Sequence, residues 1–300
     1  MKKIILILVC FGFLNLFSKE SDLFEETTKV SDTSLICFKY KFKVGDTLIY
    51  NLVSYDSIAI NYEKPILKTR LERIEITCDS IKKGIFYLSQ RLINFKSKES
   101  TADTTGVERN DTPWMERKSW LAIDSLGKRY ALGYEDSTHA SISPGGAFQP
   151  YILIGLGEGC QAVDKTWNYS SLDELVENAF PVPLERQSSL FRVVEPIDTL
   201  GYSCNRLSFI KTAQGSYQVK SGDDKYLITN IVNGYGTMDF SIEKNIPIHF
   251  LVTAEQKLQI TIGDDEPIPG WHYIFSYFTL IYYKEGQLKN NNKQKIKKKR

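Results

Sequence analysis

The chain has 300 residues and a formal net charge of +2, with 42% hydrophobic and 12% aromatic residues. That composition is typical of an ordered globular protein and too apolar for an intrinsically disordered one. Eight of the positive charges lie in the first three and the last eight residues, so residues 19–292 carry a net charge of −6. A mildly acidic body argues against a nucleic-acid-binding surface.

The N terminus has the pattern of a secretory signal peptide. Lys2 and Lys3 precede an apolar run, residues 4–17, that ends at Ser18. The run is shorter than the roughly 20 residues that a membrane-spanning helix needs. We expect cleavage after residue 18 and a mature protein that is periplasmic or secreted, with an uncleaved N-terminal anchor as the alternative. Cys10 lies early in the apolar run without a small residue before it, which argues against lipid modification.

Three further segments follow the signal peptide. Residues 19–34 are predicted to be a flexible N-terminal segment, residues 35–288 a β-rich domain, and residues 289–300 a disordered basic tail. The tail carries six cationic residues that could contact an anionic surface: Lys293, Lys295, Lys297, Lys298, Lys299 and Arg300. A solvated terminus without a partner is the simpler interpretation of the same residues.

The first half of the domain is predicted to consist mainly of strands. Segments rich in β-branched and aromatic residues are typical of strands, and they lie at Leu35–Phe42, Thr47–Val53, Leu71–Cys78 and Gly84–Leu92. In the third segment, Ile74, Ile76 and Cys78 alternate with polar residues, which indicates a half-buried strand of an antiparallel sheet. The polar stretch Lys96–Glu116 predicts a long loop, and Trp120–Leu132 predicts a hairpin.

The second half follows a junction predicted at Ser143–Pro150. A helix is expected at Leu172–Ala179, because Ser171 and Glu174 form a capping-box pattern and Pro181 follows. The remaining segments are predicted strands: Phe191–Val194, Ser203–Phe209, Tyr226–Val232, Thr237–Ile242, Ile248–Thr253, Lys257–Ile262 and Trp271–Tyr283. The fold class is therefore mainly β, an antiparallel curved sheet or open half-barrel with at most one or two short helices.

The two halves also suggest an internal duplication. A shift of 119 residues aligns Val44, Thr47 and Tyr50 with Val163, Thr166 and Tyr169, which predicts repeats at 37–142 and 160–285. Four cysteines remain after signal cleavage, and an exported chain can pair them in three ways. If the halves are repeats, the preferred disulfides are within each half, Cys37 with Cys78 and Cys160 with Cys204.

Three motifs together resemble a known group of proteins. They are the segments Lys41–Tyr50, Val163–Trp167 and Gly234–Lys244. In order and spacing they are similar to a group of uncharacterised exported bacterial domains, thought to adopt an open antiparallel half-barrel like that of periplasmic lipoprotein carriers. The resemblance covers about residues 35–285. It implies a curved sheet whose concave face holds an apolar ligand or a partner strand, and it brings no catalytic residues.

The segment Trp271–Tyr283 is the main candidate for ligand binding. As a strand it places Trp271, Tyr273, Phe275 and Tyr277 on one face, while Ile274, Phe278 and Leu280 occupy the other. A strand that is apolar on both faces must be covered on both, by the protein's own core or by a ligand. We predict that the four aromatic residues contact a ligand, with ordinary core packing as the alternative.

No motif indicates an enzyme, a metal site or a cofactor. The glycine-rich Gly155–Gly159 lacks the lysine and helix of a phosphate loop, and Asp264–Glu266 lacks the ligand spacing of a calcium loop. His139 is the only histidine worth testing as a base. The sequence thus favours an exported, non-enzymatic protein that binds a hydrophobic ligand or an envelope partner. A structural or adhesive envelope component and an extracytoplasmic hydrolase are the alternatives.

Overall fold

The computed structural model describes residues 35–112, 115–134, 151–157, 160–174, 184–221, 224–263 and 265–286. Several sequence predictions concern residues outside these ranges. They are the signal peptide and the segment after it (residues 1–34), His139, the junction at 143–150, most of the predicted helix, and the basic tail from residue 289.

The described residues form fourteen strands. In chain order they are β1 Ile36–Cys37, β2 Thr47–Ile60, β3 Ile66–Lys82, β4 Ile85–Ser100, β5 Val107–Arg109, β6 Lys118–Ile123, β7 Arg129–Tyr134, β8 Cys160–Gln161, β9 Thr166–Glu174, β10 Leu184–Thr199, β11 Tyr202–Ser221, β12 Asp224–Ser241, β13 Ile246–Ile262 and β14 Ile268–Lys284. The ranges described above contain no helix. The predicted mainly β fold class is therefore confirmed.

Twelve of the strands form one large antiparallel sheet. Its order is β7-β6-β4-β3-β2-β14-β13-β12-β11-β10-β9, and β5 pairs with β4 off this path. Each half of the chain contributes a series of neighbouring hairpins, and the pairing of β2 with β14 joins the two series in the middle of the sheet. The remaining two strands, β1 and β8, pair only with each other.

The helix predicted at Leu172–Ala179 is wrong where it can be checked. Leu172 and Glu174 belong to β9, and the later residues lie outside the described ranges. Leu172 pairs with Arg186 of β10 in a continuous antiparallel ladder. The local capping pattern is therefore outweighed by cross-strand hydrogen bonds that satisfy the same backbone groups.

Several predicted strand boundaries also differ from the structure. Only Ile36–Cys37 of the predicted strand Leu35–Phe42 pairs with another strand. The predicted loop Lys96–Glu116 instead continues β4 to Ser100 and contains β5. The expected breaks inside β12 and β13 are absent, because both strands pair along their whole length with their neighbours.

A short segment after β1 fills the centre of one sheet face. Phe38, Tyr40 and Phe42 are buried at alternate positions, like residues of a strand, although the segment belongs to no sheet. The Phe38 ring lies 5.8 Å from Trp167 and 5.8 Å from Phe240. This segment supplies core that the sheet cannot provide for itself, since no second layer from the described ranges packs against the sheet.

A row of aromatic rings crosses the same face. Phe191 of β10, Phe209 of β11, Phe250 of β13 and Phe278 of β14 lie at successive centroid distances of 6.0, 5.6 and 5.7 Å. The row passes over β12 at Gly236, where an added Cβ would lie 2.8 Å from the Phe209 ring. Glycine is thus required at this position so that Phe209 can reach across to Phe250.

Residues 151–157 bring the two outer strands of the sheet towards each other. The Leu156 N–H donates to the Leu126 carbonyl in the β6–β7 turn, and the Trp167 indole of β9 donates to the Leu156 carbonyl. The segment also accepts a hydrogen bond from the Tyr40 hydroxyl at Ile154. The sheet therefore curves around its aromatic core, and the core face is the concave one.

The concave face has two different ends. We call the end with the β3–β4, β10–β11 and β12–β13 turns the filled end, because the segment of Phe38, Tyr40 and Phe42 packs there. We call the end with the β2–β3, β11–β12 and β13–β14 turns the open end.

The predicted disulfide pairing is wrong. Cys37 and Cys160 form a disulfide that joins β1 to β8, while Cys78 and Cys204 are free and buried. Cys78 lies in β3 and Cys204 in β11, each on the concave face, so neither reaches the β1–β8 pair. The expectation failed because it assumed that each half is bridged internally, whereas the bridge connects the two halves.

Removing the Cys37–Cys160 disulfide should destabilise the protein. The bridge closes a loop with a sequence separation of 123, and loss of such a cross-link typically costs about 2–5 kcal/mol. Denaturant unfolding of a Cys37→Ser, Cys160→Ser variant would measure the change.

The two free cysteines supply the control. Burial raises the pKa of Cys78 and of Cys204 to about 12, so neither thiol should react with an alkylating reagent until the protein unfolds. A disulfide-linked peptide containing Cys78 or Cys204 in a non-reducing digest would contradict this pairing.

Candidate functional site

The concave face changes character between the filled end and the open end. Aromatic residues dominate at the filled end, and four charged or titratable residues follow in the middle of the strands. We call these four the ionic layer: Asp56, Arg70, Glu72 and His272. Isoleucines occupy most of the inward positions beyond them, together with Lys68, which forms an ion pair with Glu99, and Tyr226, which pairs with Ile262.

Arg70 is the centre of the ionic layer. Its Nε donates to Asp56 Oδ2 at 2.8 Å, and its Nη1 donates to Glu72 Oε1 at 3.0 Å. His272 Nε2 lies 2.8 Å from the other Asp56 oxygen, Oδ1. The four residues come from β2, β3 and β14, so the network ties the strands that join the two halves of the sheet.

The pKa values of the two carboxylates in the ionic layer are shifted in opposite directions. Burial favours the neutral form of Asp56, but hydrogen bonds and charge from His272 and Arg70 outweigh it and lower the Asp56 pKa. Burial dominates at Glu72 and raises its pKa despite the attraction of Arg70. Glu72 has one oxygen bonded to Arg70, whereas its Oε2 is buried and has no hydrogen-bond partner in the described part of the chain.

Two serine hydroxyls extend the ionic layer across β2 and β14. The Ser54 hydroxyl accepts from Arg70 Nη2 at 3.1 Å and lies 3.0 Å from the Ser276 hydroxyl. Across residues 35–286, excepting the gaps noted above, no group of three or more His, Cys, Asp or Glu could hold a metal ion.

The inward positions of the open end carry a cluster that we call the isoleucine patch. It comes from five neighbouring strands, β3, β2, β14, β13 and β12, and comprises Ile58, Ile60, Ile66, Ile228, Ile260, Ile262 and Ile268. Ile260 pairs with both Ile228 and Ile268, and Ile58 pairs with Ile66. Ile228 is buried, Ile66 is exposed, and the other five are half-buried. The patch is therefore an apolar surface that the described chain covers only in part.

A glycine shapes the centre of the isoleucine patch. Gly270 of β14 lies between Ile60 and Leu258 in the sheet. A Cβ added at Gly270 would lie 2.7 Å from Ile60 Cδ1, so the Ile60 side chain occupies the space that a side chain at position 270 would need. The glycine lets the isoleucines of β2 and β13 approach one another.

The four aromatic residues predicted to bind a ligand lie on the convex face. Trp271, Tyr273, Phe275 and Tyr277 alternate with buried residues of β14, as expected for a strand with Ile274, Phe278 and Leu280 in the core. Six residues of a strand span about 20 Å, so Trp271 and Tyr277 cannot contact the same small ligand.

Three of the four have different neighbours. The Trp271 ring is 5.4 Å from Tyr62, the Phe275 ring is 6.0 Å from Tyr55, and the Tyr277 hydroxyl is hydrogen bonded to His249 Nδ1.

The convex face carries a longer apolar row that includes Phe275. In register across the sheet it runs through Leu190, Ile210, Tyr235, Phe275 and Tyr55. Thr253 of β13 interrupts the row and is buried between its larger neighbours. At the usual spacing of strands the row is about 25 Å long. It is exposed along most of that length.

Sequence analysis missed both the ionic layer and the isoleucine patch. The available signal was the two-residue alternation: Asp56 continues the inward series of Leu52 and Ser54, and Arg70 and Glu72 continue the series of Ile74. Charged residues at inward positions of neighbouring strands indicate a buried ion-pair network. The strand assignments ended too early to reveal it, since the predicted second strand stops at Val53.

Comparisons with known proteins give distant likenesses only. No family model and no curated protein matches the chain. Among solved structures, lipovitellin has a TM-score of 0.43 with 9% identity over 83% of this chain, which spans 26% of the lipovitellin chain. A Bacteroides fragilis protein described as exported, with a YmcC-like fold, has a TM-score of 0.27 and 10% identity over 83% of this chain and 99% of its own.

An outer membrane channel from Pseudomonas putida has a TM-score of 0.23 and 10% identity, over 80% of this chain and 97% of its own. All three neighbours have TM-scores below 0.5 and share no more than 10% identity with this chain. Among the described residues, no helix has the length and apolar content needed to cross a membrane.

The opposite pKa shifts in the ionic layer should give opposite pH effects on stability. The raised pKa of Glu72 makes the folded protein lose stability as the pH rises from the ordinary value of 4.5 through the folded pKa, and Glu72→Gln should remove that loss. The lowered pKa of Asp56 contributes stability above the ordinary value of 3.8, which is lost as the pH falls through the folded pKa. Asp56→Asn should remove that contribution.

Urea unfolding at a series of pH values, from roughly 3 to 8, would measure both variants against the wild type. Parallel curves of stability against pH for the wild type and Glu72→Gln would show that burial does not raise the pKa of the Glu72 carboxyl.

Proposed function

We propose that this chain is an exported, non-enzymatic protein that binds an aliphatic molecule on the concave face of its sheet, at the isoleucine patch. Export follows from the signal-peptide pattern of residues 1–18. The observation that carries the binding site is the isoleucine patch itself, which is concave, contiguous across five strands and only half covered by the described chain.

The composition of the patch favours an aliphatic ligand. Its members are branched aliphatic side chains without aromatic rings, so they offer dispersion contacts and burial but no stacking. Covering one fully exposed isoleucine is worth about 1.5–3 kcal/mol, and several half-buried ones together give a substantial driving force. Ligand pockets are mostly apolar with a few polar groups that fix orientation. The adjoining His272 and Asp56 supply polar groups at the inner limit of the patch.

The rest of the concave face limits where the ligand can lie. At the filled end, Phe38, Tyr40 and Phe42 already occupy the space against the sheet. In the middle, the ion pairs of Arg70 with Asp56 and Glu72 would have to be broken to admit an apolar chain, and leaving a buried charge unpaired is costly. An apolar ligand is therefore confined to the open end.

Replacing isoleucines of the patch should weaken ligand binding. The Ile58→Asn, Ile260→Asn double variant places two polar amides on the concave surface and should lower ligand affinity at least about tenfold. Native mass spectrometry with lipid extraction, on protein purified from its own compartment, would measure occupancy. The wild-type protein should carry one apolar molecule per chain.

An isoleucine on the opposite face supplies the matched control. Ile210 is exposed on the convex face, so Ile210→Asn should retain the ligand. A wild-type protein that is free of apolar ligand, or equal loss of ligand in Ile210→Asn, would contradict the proposed site.

A second function is favoured by the exposed row on the convex face. That row lies on the convex face and is one residue wide, so it cannot enclose a small ligand, but Tyr, Trp and Phe are enriched in protein interfaces. Trp271, Tyr273, Phe275 and Tyr277 would then contact an envelope protein. The charges beside them have both signs, as at Glu255 and Lys257, which suits a protein surface.

Photo-crosslinking in the native envelope would test this second function. A crosslinking residue in place of Tyr273 should trap one envelope protein, because Tyr273 is exposed in the middle of β14. The same residue in place of Tyr130, which is exposed on the outer strand β7, should not. Identical adducts at both positions would contradict a specific interface on β14.

A further inference from the structure

The turn between β2 and β3 holds a tyrosine in an unfavourable backbone conformation. The Glu63 N–H donates to the Ile60 carbonyl at 3.0 Å, which closes a four-residue turn. The two central residues, Asn61 and Tyr62, have φ values of 53° and 60°. Two positive φ values in a hydrogen-bonded hairpin turn are typical of type I′. Asparagine suits the first position, but the second strongly favours glycine.

Tyr62 gains little core packing in return for this strain. Its side chain is 79% exposed, the highest value among the large apolar residues of the described chain. Its ring contact is with Trp271, at a centroid distance of 5.4 Å. The β10–β11 turn shows the usual solution, because its exposed, positive-φ Leu200 is followed by Gly201 at the second central position. A tyrosine at that position of the β2–β3 turn indicates a role outside the fold, because the fold would be better served by glycine.

Other exposed apolar side chains lie on the strands at the open end. Ile66 is 41% exposed and Leu67 is 54% exposed, at the start of β3, while Trp271 is 36% exposed on β14. We call these three residues and Tyr62 the aromatic rim. The rim lies on the edge of the open end. It adjoins the isoleucine patch, because Ile66 belongs to both.

Charges of both signs lie around the aromatic rim. Glu63 and Lys64 lie in the same turn, and Lys257 of β13 is the cross-strand partner of Trp271. A small apolar tip with Trp, Tyr and scattered charges has the chemistry of a membrane interface, where aromatic rings lie at the level of the lipid headgroups.

We propose that the aromatic rim docks the protein on a lipid bilayer surface. Tyr62 and Trp271 lie at the headgroup level, and Ile66 and Leu67 reach the boundary of the acyl chains. A lipid surface fits better than a protein partner, because a stable protein interface needs about 20–30 residues on each side. The rim has four side chains on one hairpin end and its neighbour, whereas shallow insertion into a bilayer needs only a small apolar area.

The docking places the open end of the concave face against the membrane. An aliphatic molecule could then pass between the bilayer and the isoleucine patch without crossing water. Docking itself depends on the rim residues alone and does not require that the patch hold a ligand.

Replacement of Tyr62 by glycine separates the two possible reasons for the tyrosine. If Tyr62 serves docking, Tyr62→Gly relieves the strained turn and should keep or raise the urea midpoint of unfolding. The same variant should bind vesicles at least about tenfold more weakly than the wild type. Co-sedimentation of the whole exported protein with phosphatidylcholine vesicles measures binding. Because the charges around the rim have both signs and no large excess of either, adding phosphatidylglycerol should change binding little.

A matched pair of leucines tests whether the effect belongs to the rim. Leu67 is 54% exposed at the open end, and Leu200 is 56% exposed in the β10–β11 turn at the filled end. Leu67→Asn should weaken vesicle binding, and Leu200→Asn should leave it unchanged.

Four outcomes would overturn the proposal. The first two are a wild-type protein that does not bind vesicles and an equal loss of binding in Leu200→Asn. The third is a lower unfolding midpoint in Tyr62→Gly, and the fourth is a protein complex that the rim substitutions disrupt while vesicle binding persists. Ligand occupancy measured by native mass spectrometry on the same variants keeps the two proposals apart. If the protein binds vesicles but carries no ligand, the proposed ligand site is contradicted and the proposed docking surface is still supported.

Discussion

The structure depends on filling the concave face of a sheet that has no second layer. Most β domains bury one sheet against another or against helices, but in the described residues the sheet packs against extended segments of its own chain. Phe38, Tyr40 and Phe42 provide the largest part of that filling, and Gly236 makes room for the row of phenylalanines beneath them. The Cys37–Cys160 disulfide holds the segment at its start. Curvature, core and the difference between the two ends all follow from this arrangement.

The difference between the two ends explains the order of layers on the concave face. Where the segment of Phe38, Tyr40 and Phe42 packs, the inward residues are aromatic. Beyond it, Arg70 forms ion pairs with two carboxylates on neighbouring strands. Beyond them most of the inward residues are isoleucines without a comparable cover. A sheet that only needed stability would gain by placing aliphatic residues at the ionic layer as well, since buried ion pairs seldom stabilise more than good apolar packing. The ionic layer instead separates the aromatic core from a part of the face that the described chain covers only in part.

The sequence predicted the fold class better than the contacts that define the sites. Alternation of Ile74, Ile76 and Cys78 was enough to orient β3, because a half-buried strand repeats every two residues. The same rule fails at Leu172, because the capping pattern there predicts a helix. Only the pairing with β10 shows that the backbone forms a strand. The disulfide could not be derived, since Cys37 and Cys160 meet only when β1 pairs with β8. No sequence pattern marks Tyr62. Its strained conformation is visible only in its backbone φ value of 60°.

The pairing of β2 with β14 has a consequence for biogenesis. Ser54 and Ser276 are hydrogen bonded across these strands although they lie 222 residues apart in the chain. The centre of the sheet is thus assembled from the first and the last long strands, a topology in which folding is slow because distant segments must meet. A chain that is cut or stalled before β14 would leave an unpaired edge in the middle of the apolar face, the kind of edge that recruits other chains into aggregates. Completion of the sheet therefore depends on β14, the last strand among the described residues.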